Sequence, residues 1–355
     1  MSKKKIIIIS LLLSLLIVTG VTLGIHFSNR EKVSYNLKTY GYFDTLTTIV
    51  GYEYNVKDFE KNAEEALRLL GEYHKLFDIY NEYEGIANLY TINSIVDGVH
   101  PQVTVDQRII DMLLYAKEIY AKTNGKMNIA MGSVLSIWHD YRKEGETNPI
   151  KAQLPPMEML ESAAQHTDID KLIIDDEKNT VWLSDPDMKL DVGAIGKGYA
   201  VEMVARMLES KGKTDYVLNV GGNIRSIGLK ATGEKWRTGI ENPNLDDEDN
   251  PYIAYLNIAG QAVVTSGTYQ RYYWVGGEKY HHIIDEKTLM PAKGYLSVSI
   301  ICNNSALADG LSTALFCMSL EEGKALIESL EDVEALWVLE DETRVYSSGF
   351  SKYTE

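Results

Sequence analysis

Cysteine is nearly absent: Cys302 and Cys317 are the only two in 355 residues. That count excludes a disulfide framework and a zinc site built on four thiolates. Proline is also scarce, at 8 residues, and no segment repeats at a fixed period. A fibrous or long disordered chain is therefore excluded. Positive charge is in deficit, with 35 Lys plus Arg against 51 Asp plus Glu and a formal balance of -16. This argues against a broad nucleic-acid surface, while a local basic patch would survive the sum.

What remains is an ordinary globular composition, 45% hydrophobic and 24% charged. The length suits one large domain, or two intimate ones, around a sizeable core. The exception is the start of the chain. Lys3, Lys4 and Lys5 precede twenty uncharged residues, Ile6 to Ile25, or about 30 Å of helix, the thickness of a bilayer core. The run predicts a retained single-span anchor with a cytoplasmic tip over 1–31, and an extracytoplasmic domain over 32–355. A cleaved signal peptide is the rival reading, and a lipoprotein route lacks the cysteine it needs. Without residues 1–31 the chain holds 31 basic and 50 acidic residues. Any bound phosphate must then be held locally, by a lysine, amide donors or a metal.

Periodicity predicts a strand or hairpin over Tyr40 to Tyr52, then a helix from Val56 to Phe77 with Ala63, Ala66, Leu67, Leu69, Leu70, Tyr73 and Leu76 on its mostly helical apolar stripe. Further helices are predicted over Val105 to Thr123, Met157 to Ala164, Ala306 to Met318 and Leu320 to Ser329. Strands are predicted at Leu172 to Ile174, Thr180 to Leu183, Tyr216 to Val220, Trp236 to Ile240, Tyr252 to Ile258, Ala262 to Ser266 and Tyr295 to Cys302. The mixture points to one α+β unit with intertwined lobes, and the acidic stretch Leu245 to Asn250 reads as an exposed loop.

A few short segments carry chemistry. Asp191-Val192-Gly193-Ala194-Ile195-Gly196-Lys197-Gly198 can turn tightly and offer Lys197 to a phosphate oxygen, although its spacing fits neither the nucleotide-triphosphate loop nor the dinucleotide fingerprint. It is either a ligand-binding loop or a structural strand-to-helix turn. Asp309 and Thr313 stand four apart on one helix face, a carboxylate and a hydroxyl suited to a hard cation, or else a cap and a back-bonded threonine. His281 and His282 point to opposite sides of a strand, which makes a shared zinc a poor reading. One can act as a base or phosphate donor while the other packs, or both are structural or surface residues. Thr265-Ser266-Gly267 is an anion-binding turn or an ordinary strand end.

Taken in order, these blocks resemble the ApbE family of flavin transferases, the FAD:protein FMN transferases. The resemblance runs from about Tyr40 into the C-terminal region. It rests on Gly125-Lys126-Met127-Asn128-Ile129-Ala130-Met131-Gly132, Lys189 to Ala200, Asn219-Val220-Gly221-Gly222-Asn223, Thr265-Ser266-Gly267, His281 to Asp285 and Asp309 to Thr313. The family implies an α+β fold forming a single functional domain. It also implies Mg²⁺-dependent transfer of FMN from FAD, through its phosphate, to a threonine or serine of an acceptor flavoprotein such as an electron-transfer subunit, with release of AMP. By matching position, Asp309 and Thr313 are implied as metal ligands together with the Ala194 carbonyl, and Ser312, close beside them, is counted with the metal set. Asp191, Lys197, Tyr80, Ala130, Met131, Gly132 and Ile284 are implied as FAD contacts, and His282 as the group that activates the acceptor hydroxyl. Three departures stand out: no methionine in Tyr42-Phe43-Asp44-Thr45, Glu286-Lys287 in place of Pro-Arg, and Gly310 in place of Ala. FAD hydrolysis to FMN and AMP is a second enzymatic outcome. A non-catalytic, membrane-anchored FAD-binding module is the reading of a different class.

Overall fold

The computed structural model describes residues 31–354. Its frame is an eight-stranded antiparallel sheet in the order β1-β2-β6-β7-β10-β13-β14-β15. The strands span β1 Val33–Tyr40, β2 Leu46–Glu53, β6 Tyr216–Val220, β7 Asn223–Ile227, β10 Ala262–Gly267, β13 Tyr295–Cys302, β14 Glu334–Leu339 and β15 Arg344–Tyr346. The predicted hairpin at Tyr40 to Tyr52 is thus β1 and β2, beginning earlier than expected because β1 pairs along its whole length from Val33 opposite Glu53.

Side-chain alternation explains why both faces of this sheet are covered. From β10, β13 and β14, residues Ala262, Val264, Val298, Ile300, Ala335 and Trp337 pack into one cluster with the helix Ser305–Phe316. Their neighbours Val263, Ile301, Leu336 and Val338 point the other way. There they join Trp236, Ile240, Leu256 and Ile258 of a separate hairpin, β8 Trp236–Glu241 and β9 Tyr252–Ile258.

The largest cluster lies beneath the helices Val56–Phe77, Gln107–Lys122 and Gly196–Ser210. The first of these buries most of its predicted stripe: Ala63, Ala66, Leu70, Tyr73 and Leu76 are buried together with Phe59 and Phe77, while Leu67 and Leu69 are half-buried against the cluster, and Asn55 caps the start by accepting from the Asp58 amide at 3.0 Å. Burying a Leu or Ile side chain contributes about 1.5–3 kcal/mol, so fully buried Ile109, Ile110, Leu113 and Ile119 make this lobe the stable platform. A three-stranded sheet, β3 Val103–Thr104, β5 Thr180–Leu183 and β4 Leu172–Asp175, closes its edge.

A smaller cluster stands apart. Met131, Val134, Trp138, Leu160, Tyr273, Ile284 and Leu289 pack together, joining the helices Gly132–Thr147 and Met157–Ala164 to the hairpin β11 Tyr272–Val275 and β12 Glu278–His281. The helix Gly132–Thr147 and this hairpin are the main elements that periodicity does not reveal.

The membrane expectation requires correction. No helix among the described residues is long and apolar enough to cross a membrane. The 22-residue helix Val56–Phe77 has the length but is amphipathic, with Lys57, Asp58, Glu60 and Lys61 in its first turns. The expected span, residues 6–25, lies outside the described residues. The fold is therefore α+β with no membrane-spanning helix among its described residues. A transmembrane helix, the membrane as a partner, and a single-pass location with an extracytoplasmic domain thus find no support in it.

Candidate active site

Between the large platform and the small cluster lies a cavity of about 370 Å³, within the range of small-molecule sites. Its lining brings together Tyr80, Met131, Asp191, Ala194, Lys197, His282, Ile284, Asp309 and Thr313. These residues come from segments scattered over more than two hundred positions, so local sequence alone does not unite them.

Two helices supply the inner wall. Lys197 lies in the first turn of Gly196–Ser210, and Asp309 and Thr313 lie on Ser305–Phe316. The helices touch where Gly198 faces Asp309: the Gly198 amide donates to Asp309 Oδ2 at 2.7 Å. A Cβ on Gly198 would meet Asp309 Cβ and the Ser305 carbonyl oxygen, both at 2.4 Å, so only glycine allows this approach. Farther back, Glu202 accepts from the Ser305 amide at 2.9 Å and from Arg225 Nε at 3.0 Å, fixing one helix start against the other helix.

Asp309 is 6% exposed. Burial pushes its carboxyl above the usual range, against the pull of Lys197, the Gly198 amide and nearby Asn223. Asn223 Nδ2 is itself buried without a well-formed hydrogen bond. Lys197 is pushed down by the same burial although Asp309 opposes this, and its Nζ donates to the Gly221 carbonyl at 3.0 Å. The wall thus carries a buried carboxyl with few donors around it, an ammonium and a hydroxyl. Thr313 Oγ1 lies 3.4 Å from Ser266 Oγ. Ser312 does not line the cavity. It is fully buried, with its Oγ 2.8 Å from Ser266 Oγ and donating to the Asp309 carbonyl at 2.9 Å, and it holds the wall from behind. Thr265-Ser266-Gly267 proves to be the end of strand β10 rather than a turn, yet it lines the cavity.

The adjoining wall is laced from two glycine-bearing segments. Asp191 N donates to the Ile129 carbonyl at 2.8 Å and Gly132 N to the Lys189 carbonyl at 3.1 Å. A Cβ on Gly132 would stand 2.5 Å from that same Lys189 oxygen. Met131 reaches the cavity, whereas Ala130 is fully buried and neither it nor Gly132 lines the space. Asp191 Oδ1 accepts from the Gly193 amide at 2.8 Å, and burial pushes this carboxyl up as well. The segment Tyr42-Phe43-Asp44 contributes Phe43 and Asp44 to the lining, both at positive φ, 51° and 54°.

Tyr80 hangs from a turn fixed by Asp78, whose Oδ1 accepts from the Tyr80 and Asn81 amides at 2.7 and 3.0 Å. Its ring packs on His139 at 5.1 Å, and 58% of its surface stays accessible at the cavity. Burial and the nearby Asp191 push its hydroxyl up to about 12.

The adjacent histidines diverge as expected, but only His281 belongs to a strand: β12 ends there and His282 follows in a bend. His281 is buried against Phe316 at 5.7 Å and its Nε2 donates to the Ala292 carbonyl at 2.9 Å. His282 faces the cavity, with Nδ1 3.2 Å from the Arg271 carbonyl. A carbonyl only accepts, so Nδ1 carries the proton and Nε2 keeps a free lone pair. Burial, then Arg271, Arg142 and His281, push its pKa down to about 3, leaving the ring neutral at neutral pH.

Sequence reasoning misses part of the lining, chiefly Trp138, His139, Arg142, Gln270 and Arg271. The first three share one face of Gly132–Thr147 at spacings of three and four, which is a readable signal once that helix is recognised. Arg271 has no local signal beyond its position ahead of an aromatic run. A second group able to meet a cation, His166 with Asp185 and Asp187, has ligand atoms within 4.8 Å of one another. None of the three lines the cavity, and the 2.9 Å contact of His166 Nδ1 with Asp185 accounts for their proximity.

Comparison with known proteins shows the family to which the chain belongs. The sequence profile of the ApbE family matches residues 43–337. The FAD:protein FMN transferase of Klebsiella pneumoniae (strain 342) is 30% identical over 281 residues, covering 77% of this chain and 84% of that protein. The one from Treponema pallidum is 27% identical over 320 residues, covering 85% of each. Among solved structures, the ApbE protein of Thermotoga maritima superposes with a TM-score of 0.78 at 28% identity, over 91% of this chain and 100% of that one. The flavin transferase ApbE of Vibrio cholerae gives 0.73 at 26% identity, over 91% and 99%.

Proposed function

The chain belongs to the ApbE family, it is an FAD:protein FMN transferase, and from that premise we propose how it works. FMN passes from FAD to a threonine or serine hydroxyl of an acceptor flavoprotein, forming a phosphoester and releasing AMP, with Mg²⁺ required. Residues 32–355 act as one functional domain. The observation that carries this reading is the convergence, in one cavity, of an Asp309–Thr313 oxygen pair with Lys197, Asp191 and a neutral His282.

The donor set suits the ion. Asp309 is a buried carboxyl whose ionisation is opposed by its surroundings. Thr313 stands on the same helix and lines the cavity, as does Ala194, whose carbonyl is the further oxygen that the family resemblance implies. An all-oxygen set with a buried carboxylate fits a hard cation better than a soft metal. When bound, Mg²⁺ supplies charge neutralisation and polarisation of the diphosphate oxygens.

The remaining work falls to the chain itself. Lys197, held by the Gly221 carbonyl, donates to a phosphate oxygen. Tyr80, Met131 and Ile284 offer flat and apolar surface to the isoalloxazine, and Asp191 accepts from a flavin or ribityl donor. His282 Nε2 receives the proton of the acceptor hydroxyl as that oxygen attacks phosphorus; its depressed pKa keeps the lone pair available across the neutral range.

The test incubates the full chain with FAD, Mg²⁺ and a candidate acceptor flavoprotein, with a matched EDTA sample, and reads intact-protein mass. An FMN adduct that needs Mg²⁺ supports the reading. Rapid FMN and AMP production without an adduct on any acceptor would overturn it in favour of FAD hydrolysis.

A further inference from the structure

Lys197 and the Asp309–Thr313 pair line the cavity, and so do two arginines, Arg142 and Arg271, that the reading above leaves without a part. Arg271, in the turn between β10 and β11, is exposed at the cavity rim. Its main-chain carbonyl accepts both the His282 amide and His282 Nδ1, each at 3.2 Å, so the base and this arginine are carried by one piece of backbone. Among the described residues its guanidinium makes no ion pair.

Arg142 approaches from the helix Gly132–Thr147. Its NH2 group donates to His139 Nδ1 at 3.2 Å, and its contact with the half-exposed Glu146 is a loose 3.5 Å. The two guanidinium groups are close enough to disfavour one another, and both bear on His282. Asp191 lies close enough to feel both charges without coming into ion-pair contact with either. Two cations beside a base, with no carboxylate seated between them, form a site waiting for an anion.

We propose that Arg271, with Arg142 behind it, takes up the negative charge that builds on the departing AMP phosphate. This rests on the transferase reading. In that reaction the acceptor oxygen bonds to the phosphorus on the FMN side, and its proton goes to His282 Nε2. The bond from that phosphorus to the bridging oxygen breaks, and the electron pair stays on the AMP phosphate, which gains one negative charge. A phosphate leaving group needs a fixed cation rather than a proton donor, and an arginine stays charged at every working pH.

The test compares the full chain with its Arg271→Ala, Arg271→Lys and Arg142→Ala variants. Adduct formation is followed by mass, and AMP, FAD and riboflavin binding by competition and flavin fluorescence. Arg271→Ala is expected to lower the transfer rate roughly 10²–10³-fold and to weaken AMP binding about tenfold, the size of one charge-assisted contact. Riboflavin, which has no phosphate, should bind as before. Millimolar guanidinium should restore part of the rate. Arg142→Ala should give a smaller loss of the same pattern. Equal loss of riboflavin and AMP binding would overturn the proposal in favour of a structural role. Unchanged AMP binding with a raised acceptor KM would overturn it by assigning Arg271 to an anionic group on the acceptor. A wild-type chain that binds FAD and never forms an adduct defeats the transferase reading instead, an outcome distinct from either.

Discussion

The two sides of the cavity are built differently. The side carrying Lys197, Asp309 and Thr313 rests on long helices packed over the eight-stranded sheet, and its polar groups are fixed by buried contacts such as Gly198 to Asp309 and Glu202 to Ser305. The side carrying Tyr80, His139, Arg142, Arg271 and His282 rests on a turn, a polar helix, a short hairpin and the small cluster around Trp138 and Leu289. Charges that must be held within a fraction of an ångström belong on rigid elements. The side that opens to the rim, where an acceptor protein must enter, tolerates lighter packing and more loop.

This contrast can be broken most sharply on the rigid side. Asp309→Ala removes the only carboxylate of the proposed metal set and should abolish the FMN adduct in the mass assay while circular dichroism stays unchanged. It should also remove any rise in melting temperature on adding Mg²⁺, since an ion that binds only the folded state stabilises by mass action. A Mg²⁺-dependent rise that survives in the variant would place the ion elsewhere, with the His166, Asp185 and Asp187 group as the next candidate.

On the lighter side, His282→Gln should slow transfer by about 10²–10⁴-fold, the range for loss of a general base, with FAD affinity preserved. The same variant has a stability signature. In the folded chain His282 titrates near 3, against an ordinary value of 6.5, so between those values the unfolded chain binds the extra proton and the folded chain does not. Stability is therefore lost as pH falls from about 6.5 toward about 3. Replacing His282 by glutamine should flatten this part of the curve, measured by urea unfolding at pH 7 and pH 5. An unchanged acid dependence would mean that the ring is better solvated than its setting suggests.

The same asymmetry governs what can be read from sequence. The helix Val56–Phe77 matches its predicted bounds because its apolar period runs its whole length, and the strands β6, β9 and β13 match because each is a compact run rich in apolar and β-branched residues. Asp309 and Thr313 are legible as a pair for a related reason: helical spacing alone puts them on one face. The helix Gly132–Thr147 is not, because glycine at positions 132 and 145, serines on its face and the cavity-facing His139 and Arg142 interrupt any apolar stripe. The hairpin of β11 and β12 escapes because its strands are four residues each and its stability comes from packing on that same helix. His282 falls between the two cases. Adjacency at a strand end suggests that it and His281 diverge, but which one faces the cavity depends on the packing of His281 against Phe316 and Ala292, across turns that the local pattern does not describe.

The smallest expected effect tests whether the lighter side binds or merely borders the flavin. Tyr80 is oriented by Asp78 and leans on His139, with most of its surface free at the cavity. A ring stacked there contributes about 0.5–1.5 kcal/mol beyond the area it covers. Tyr80→Leu keeps the apolar bulk and removes the ring, so FAD and riboflavin should both weaken by roughly the same three- to tenfold, with the transfer rate at saturating FAD unchanged. Equal weakening is the discriminating result, because the arginine variants should separate the two ligands and Tyr80 should not. A Tyr80→Leu chain that binds riboflavin normally but loses FAD would move this residue to the adenylate end of the cavity. The flavin would then have to rest on Met131, Trp138 and the Phe43 turn instead.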